Sequence, residues 1–212
     1  MSNKLDNIDF YMVTDSSLSK NGIISDVENA LKAGCRIVQY REKQKSTRGM
    51  IKEAKHLKQI CDGKASFIIN DRVDVALAVD ADGVHIGKED MPFKTVKTLL
   101  GKNKIIGQTV HNLEEAFEAE KLGVDYIGLA PIFKTDTKKD AQKPCGIIMI
   151  KKIRKEVNLP IVAVGGIVKD NIEDVIKAGA DSVVSIKAVL GSDDIHSEIT
   201  DFIRIIKECK LR

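Results

Sequence analysis

The stretch PIVAVGGIVKDNIEDVIKAGADSVVSIKAV (160–189) holds one complete structural repeat and the start of the next. Ile161, Val162, Ala163 and Val164 are consecutive apolar residues, as expected of a strand covered on both faces. Gly165-Gly166 interrupts the run. Ile172, Val175, Ile176 and Gly179 then recur at helical spacing, and Ala178-Gly179 supplies a stop at which glycine can close a helix in the left-handed conformation. An apolar run resumes at Ser182, so the order is strand, helix, strand, which makes the two strands parallel.

The same unit recurs outward toward the N-terminus. Further apolar runs are FYMVTD (10–15), RIVQYRE (36–42), SFIIND (66–71), GVHIG (83–87), KIIGQTV (104–110) and YIGLAPIF (126–133). With the two quoted first they make eight, starting roughly 25 residues apart, the length of a strand and its returning helix. Val27, Ala30, Leu31 and Gly34 give the first helix its apolar stripe, and Ala33-Gly34 and Leu122-Gly123 are further stops. The pattern predicts an α/β fold, a single (β/α)8 TIM barrel over residues 1–212. An open doubly wound sheet is the runner-up, but it gives no reason for eight units of even size.

Composition agrees with one domain. The 212 residues are 43% hydrophobic, enough for a substantial core, and no linker or low-complexity tract divides them. The 34 basic and 31 acidic residues leave a net charge of only +3 and are spread along the chain, which argues against nucleic acid as a partner. Cys35, Cys61, Cys145 and Cys209 have no zinc-type spacing. With no secretion signal and no apolar stretch near 18 residues, the expectation is a reduced, cytoplasmic protein without a membrane span.

Barrel chemistry sits at the carboxyl ends of the strands. The second strand ends in Gln39, Arg41 and Lys43, which alternation puts on one side, facing the barrel mouth. An amide, a guanidinium and an ammonium together suit a polyphosphate ligand with a hydrogen-bonding ring, although a solvated strand end would look the same. Asn70 and Asp71 end the third strand, and Glu89 and Asp90 follow the fourth. Asp71 and Asp90 on adjacent strands make a candidate Mg²⁺ site, and the alternative reading of Asp71 is a cap of the helix starting at Val73. Thr109 and His111 follow on the fifth strand, where His111 is either an acid/base or the start of the helix HNLEEA. Thr135, Thr137 and Lys138 occupy a long loop suited to clamp a phosphate. Gly165-Gly166 and the end of strand eight, Ile186-Lys187-Ala188-Val189, stand where many barrels bind phosphate.

In order, YMVTD, QYREK, INDRVDVALAVDADGVHIGKED, GQTVHNLEEA, GLAPIFKTDTKKD and VAVGGI resemble the thiamine phosphate synthase family over essentially the whole chain. The stretch 69–90 is the most specific, because it holds both candidate metal carboxylates at one separation. The resemblance implies a Mg²⁺-dependent transferase that joins hydroxymethylpyrimidine diphosphate to a thiazole phosphate and releases pyrophosphate. It further implies that Gln39 and Thr109 contact the pyrimidine, and that Arg41, Lys43, Asn70 and Lys138 hold the diphosphate. Asp71 and Asp90 would bind Mg²⁺, and Thr135, Thr137, Gly166 and the strand-eight loop would hold the thiazole phosphate. A homo-oligomer is compatible with it.

Four positions depart from the family pattern. Lys88 stands for the usual glutamine, Thr109 for serine, Ser182 for glycine, and Lys187 for the serine of the phosphate loop. An ammonium at 187 remains compatible with phosphate. Three alternatives follow: a thiazole tautomerase using His111, a silent barrel that binds a thiamine precursor, and a Schiff-base enzyme using Lys187 or Lys43.

Overall fold

The computed structural model describes residues 5, 8–137 and 143–211. Its strands are β1 (Met12–Val13), β2 (Ile37–Tyr40), β3 (Ser66–Asn70), β4 (Gly83–Ile86), β5 (Ile105–Val110), β6 (Tyr126–Leu129), β7 (Ile161–Val164) and β8 (Ser182–Val184). They pair in sequence order, all parallel. The seam between first and last is bridged by Phe10 opposite Val183, with the Tyr11 N–H donating to the Val183 carbonyl at 2.9 Å. A doubly wound sheet reverses its strand order and leaves two edges; this one runs in order and closes on itself.

The helices are α1 (Ile23–Lys32), α2 (Thr47–Cys61), α3 (Val73–Ala78), α4 (Phe93–Leu100), α5 (Leu113–Leu122), α6 (Gly146–Glu156), α7 (Ile172–Lys177), α8 (Ile186–Leu190) and α9 (Ile195–Leu211). The expected stops Gly34, Gly123 and Gly179 all carry positive φ. None of the described helices is long and apolar enough to cross a membrane.

Alternation along the strands produces two cores. Val38, Ile69, Val84, Ile106, Ile127 and Ala163 point outward against the helices, where Val27, Leu57, Val96, Ile153 and Val175 meet them. The intervening residues Tyr11, Ile37, Ile68, Ile105, Tyr126 and Val162 fill the barrel interior. Strand register then sets the upper interior: Gln39 lies between Val13 and Ile68, and His85 between Asn70 and Gly107.

One boundary differs from expectation. The eighth strand stops at Val184, and Ile186–Leu190 is the short helix α8, so Lys187 sits in a helical first turn and not on a strand. The buried Ser185 hydroxyl donates to the Ile167 carbonyl at 2.6 Å, fixing the turn from strand to helix. A short apolar run has no periodicity that separates a buried strand from a buried helix.

Candidate active site

The strand ends surround a cavity of about 610 Å³, within the size range of small-molecule sites. Its wall on the β2–β4 side carries Arg41, Lys43, Asn70, Asp71, Lys88 and Asp90. The opposite wall carries Thr135, Asp136, Thr137, Gly166 and Lys187.

Arg41 is held from below. Its guanidinium pairs with Asp15 at 2.5 Å, and Asp15 is itself fixed by the backbone N–H and hydroxyl of Ser17. The Arg41 Nε is buried without an acceptor, which leaves a donor unsatisfied beside the cavity. Such a group is suited to a ligand anion. Lys43 pairs with Asp71 at 2.5 Å.

Asp71 does not cap the following helix: α3 begins at Val73 with Arg72 at the N-cap position and no side-chain cap bond. It instead adopts a left-handed backbone, φ 61°, with its N–H donating to the His85 carbonyl at 2.8 Å. Asp tolerates that region better than most residues, and its local cost is a mark of a constrained position. Burial pushes the Asp71 carboxyl up, but hydrogen bonds from Lys43 and Asp90 and the Lys43 charge outweigh it and hold the group below its usual range. Asp90, whose carboxylate accepts from the Gly87 N–H at 2.7 Å, is raised by burial and by the neighbouring Asp71. Two neighbouring carboxylates displaced in opposite directions are an apt place for a divalent cation. Among the described residues no group of three or more His, Cys, Asp or Glu forms a ready-made cage. Two carboxylates still fit Mg²⁺, which takes one or two from protein and completes its shell with water and phosphate oxygens.

Across the cavity the loops after β6 and β7 interlock. Gly166 has φ 66°, and a Cβ there would stand 2.7 Å from both the Lys134 carbonyl oxygen and the Phe133 Cβ. Only glycine allows this contact, which seats the Thr135–Thr137 pair, joined hydroxyl to hydroxyl at 3.1 Å. Lys187 reaches over from α8 to Asp136, 2.9 Å away, so the lysine that replaces serine ties α8 to the loop after β6. Lys138 lies outside the described residues.

One expected cavity side chain sits elsewhere. Gln39 does not line the cavity; it is buried in the interior with its Nε2 donating to the Tyr11 hydroxyl at 3.0 Å. Thr109 does line it, and its hydroxyl bonds His85 Nε2 at 2.8 Å. His111 stands one residue before the Asn112 N-cap of α5: its backbone N–H and Nδ1 both meet the Glu115 carboxylate, at 2.8 and 2.9 Å, while Asn112 caps the Glu115 N–H. That arrangement resembles a capping box, with the Glu115 carboxylate reaching one residue beyond the cap. Asp15 and His85 were missed by sequence reasoning. The signal for each was a polar residue at an inward position of an otherwise apolar strand run.

Known proteins resemble this chain in sequence and in fold. The family described as Thiamine monophosphate synthase matches residues 10–189. The thiamine-phosphate synthase of Methanosarcina mazei is 59% identical over 206 residues, covering 97% of this chain and 86% of the relative. That of Methanosarcina barkeri is 56% identical over 209 residues, covering 99% and 95%. The solved thiamine phosphate pyrophosphorylase from Pyrococcus furiosus superposes with a TM-score of 0.88 at 41% identity, covering 98% of each chain. With the family pattern spanning nearly all of its length and the cavity built from the same stretches, this chain belongs to the thiamine monophosphate synthase family.

Proposed function

We propose that the chain, acting as one catalytic unit over residues 1–212, binds hydroxymethylpyrimidine diphosphate and hydroxyethylthiazole phosphate side by side in this cavity and joins them to thiamine monophosphate. The observation that carries the reading is the meeting of the Asp71–Asp90 pair with Arg41 and Lys43, opposite Thr135, Thr137 and Gly166, around one cavity. One wall suits a diphosphate with a cation, the other a monophosphate.

Arg41, Lys43, Asn70 and Lys138 would hold the diphosphate, with the unsatisfied Arg41 Nε as one donor. Asp71 and Asp90 would hold Mg²⁺, which when bound neutralises charge on the diphosphate oxygens. The C–O bond to the pyrimidine methylene breaks with its electron pair leaving on pyrophosphate. The electron-rich ring stabilises the resulting cation, and the thiazole nitrogen lone pair forms the new C–N bond. Arg41, Lys43 and Lys138 stabilise the leaving charge, and no protein nucleophile is needed. The barrel's task is to align the two reactants and keep water from the cation.

Thr109 would contact the pyrimidine, with Gln39 supporting it from beneath through Tyr11. Thr135, Thr137, Gly166 and Lys187 would hold the thiazole phosphate. Thiols at Cys35, Cys61 and Cys145 suit a reducing cytoplasm. A tautomerase would need His111 as an acid/base, and that side chain is engaged with Glu115.

The test is incubation of the purified protein with both substrates and Mg²⁺, reading pyrophosphate and thiamine phosphate, with Asp90→Ala and metal-free controls. Equal amounts of both products, lost in both controls, are expected. Absence of product despite binding of either substrate would overturn the reading.

A further inference from the structure

Beneath the cavity a chain of side-chain hydrogen bonds crosses the barrel through five strands or strand ends. It runs from Gln39 Nε2 to the Tyr11 hydroxyl (3.0 Å), on to the Tyr126 hydroxyl (2.7 Å), to His85 Nδ1 (3.0 Å), and from His85 Nε2 to the Thr109 hydroxyl (2.8 Å). We propose that this chain is a polarised relay which fixes His85 as its neutral Nε2–H tautomer and so makes the Thr109 hydroxyl a donor into the cavity, selecting a ligand that presents an acceptor lone pair, such as a ring nitrogen, at that point. The substrate half of the inference rests on the pyrimidine reading above.

Direction follows from counting protons. The Gln39 Nε2 can only donate, so the Tyr11 oxygen accepts from it. Tyr11 has one proton, and the Tyr126 oxygen is placed to take it. Tyr126 then has one proton of its own, and His85 Nδ1 is placed to accept. An accepting Nδ1 carries a lone pair, which puts the ring proton on Nε2, and that N–H donates to Thr109. The Thr109 proton is left for the cavity, which Thr109 and His85 both line.

The reverse polarity fails at Tyr11. If His85 Nδ1–H donated to Tyr126 and Tyr126 to Tyr11, the Tyr11 oxygen would accept from both sides and its own proton would point nowhere. Tyr11 is 1% exposed, so that proton could not reach water and would be buried without an acceptor. Neither phenol escapes by ionising, since burial raises both above the ordinary tyrosine range. The barrel is also shaped around the chain. A Cβ at Gly107 would lie 2.1 Å from the Tyr126 ring, and one at Gly128 would lie 2.9 Å from the His85 ring. Glycine at both positions makes room for rings that no other residue there would admit.

His85 is therefore a positioning residue for Thr109. Nitrogen NMR of the ligand-free full chain labelled at histidine reads the tautomer directly, with the His85 signal assigned by its loss in His85→Gln. A protonated Nε2 and bare Nδ1 are expected, and Tyr126→Phe should erode that preference by removing the donor to Nδ1. A ring protonated on Nδ1, or on both nitrogens, in the wild-type chain overturns the relay whatever the protein's activity. Turnover tests the selection step. His85→Leu should raise KM for the pyrimidine substrate roughly tenfold with a smaller change in KM for the thiazole. His85→Gln, whose amide reproduces the Nε2 donor, should recover most of that loss. Equal KM values for the two variants would overturn the selection step. An Nε2–H tautomer in a chain that makes no thiamine phosphate would leave the relay standing and sink the substrate reading alone.

Discussion

Two charged side chains, one buried away from the cavity and one on its rim, can each be tested by a single substitution. Asp26 on α1 is fully buried, and neither of its carboxylate oxygens has a hydrogen-bond partner at good geometry. Burial raises its carboxyl above the ordinary range, eased only in part by the Ser19 hydroxyl. The sign of the linkage is fixed by this direction: the folded state holds the proton more tightly, so stability falls as pH rises from the unfolded pKa through the raised folded one. Asp26→Asn should thus stabilise the protein at neutral pH by about 1 kcal/mol and give no gain near pH 3, as read from urea midpoints at both values. An equal effect at both would refute the charge as the cause. Lys187 is the second. Its pair with Asp136 is largely exposed on both sides, 64% and 77%, so in water it is weak and readily exchanged for a phosphate. Lys187→Ser should raise KM for the thiazole phosphate roughly three- to tenfold and leave the pyrimidine KM near its starting value. An unchanged thiazole KM would show that the lysine serves only Asp136.

At the scale of elements, the β6 and β7 loops act as one unit because Gly166 lets their backbones touch. Gly166→Ala introduces a side chain at φ 66°, 2.7 Å from the neighbouring carbonyl. The conformational part alone costs about 1–2 kcal/mol, and relief of the clash must push the Thr135–Thr137 segment away. The expected outcome is a thiazole phosphate KM that rises far more than the pyrimidine KM, measured by varying each substrate in turn. What was legible in the sequence follows the same scale. Apolar runs marked all eight strands, because burial on both faces leaves few polar interruptions. β8 was read too long, since a three-residue strand and a five-residue helix merge into one apolar run. Alternation put Gln39, Arg41 and Lys43 on one side correctly but carried no depth. Two residues along a strand are about 6.6 Å, so Gln39 lies a layer below the cavity that Arg41 lines. His85 stayed hidden because one histidine in GVHIG has no local partner; its partners come from Thr109 and Tyr126, 24 and 41 residues away.

For the whole molecule, the weakest link should be the seam where the first strand meets the last. β1 has two residues and β8 three, and Phe10 joins Val183 only through an isolated bridge. Strong pairing elsewhere cannot close the barrel if this junction opens. The 17-residue helix α9 lies behind the seam, burying Ile195, Ile199, Phe202, Ile203 and Ile206 on one stripe, and it packs on α1 and α7. Phe202 is fully buried, and its ring meets that of Phe10 with centroids 5.3 Å apart, so α9 braces the seam residue directly. Phe202→Ala should cost about 3–5 kcal/mol, the range for truncating a buried aromatic. If α9 is a brace, the loss will fall unevenly. Hydrogen exchange should rise first at Tyr11 and Val183, whose amides cross the seam, while β3–β5 amides keep their protection. Uniform loss of protection over all eight strands would mean that the barrel opens as a single cooperative unit and that α9 stabilises it without local preference.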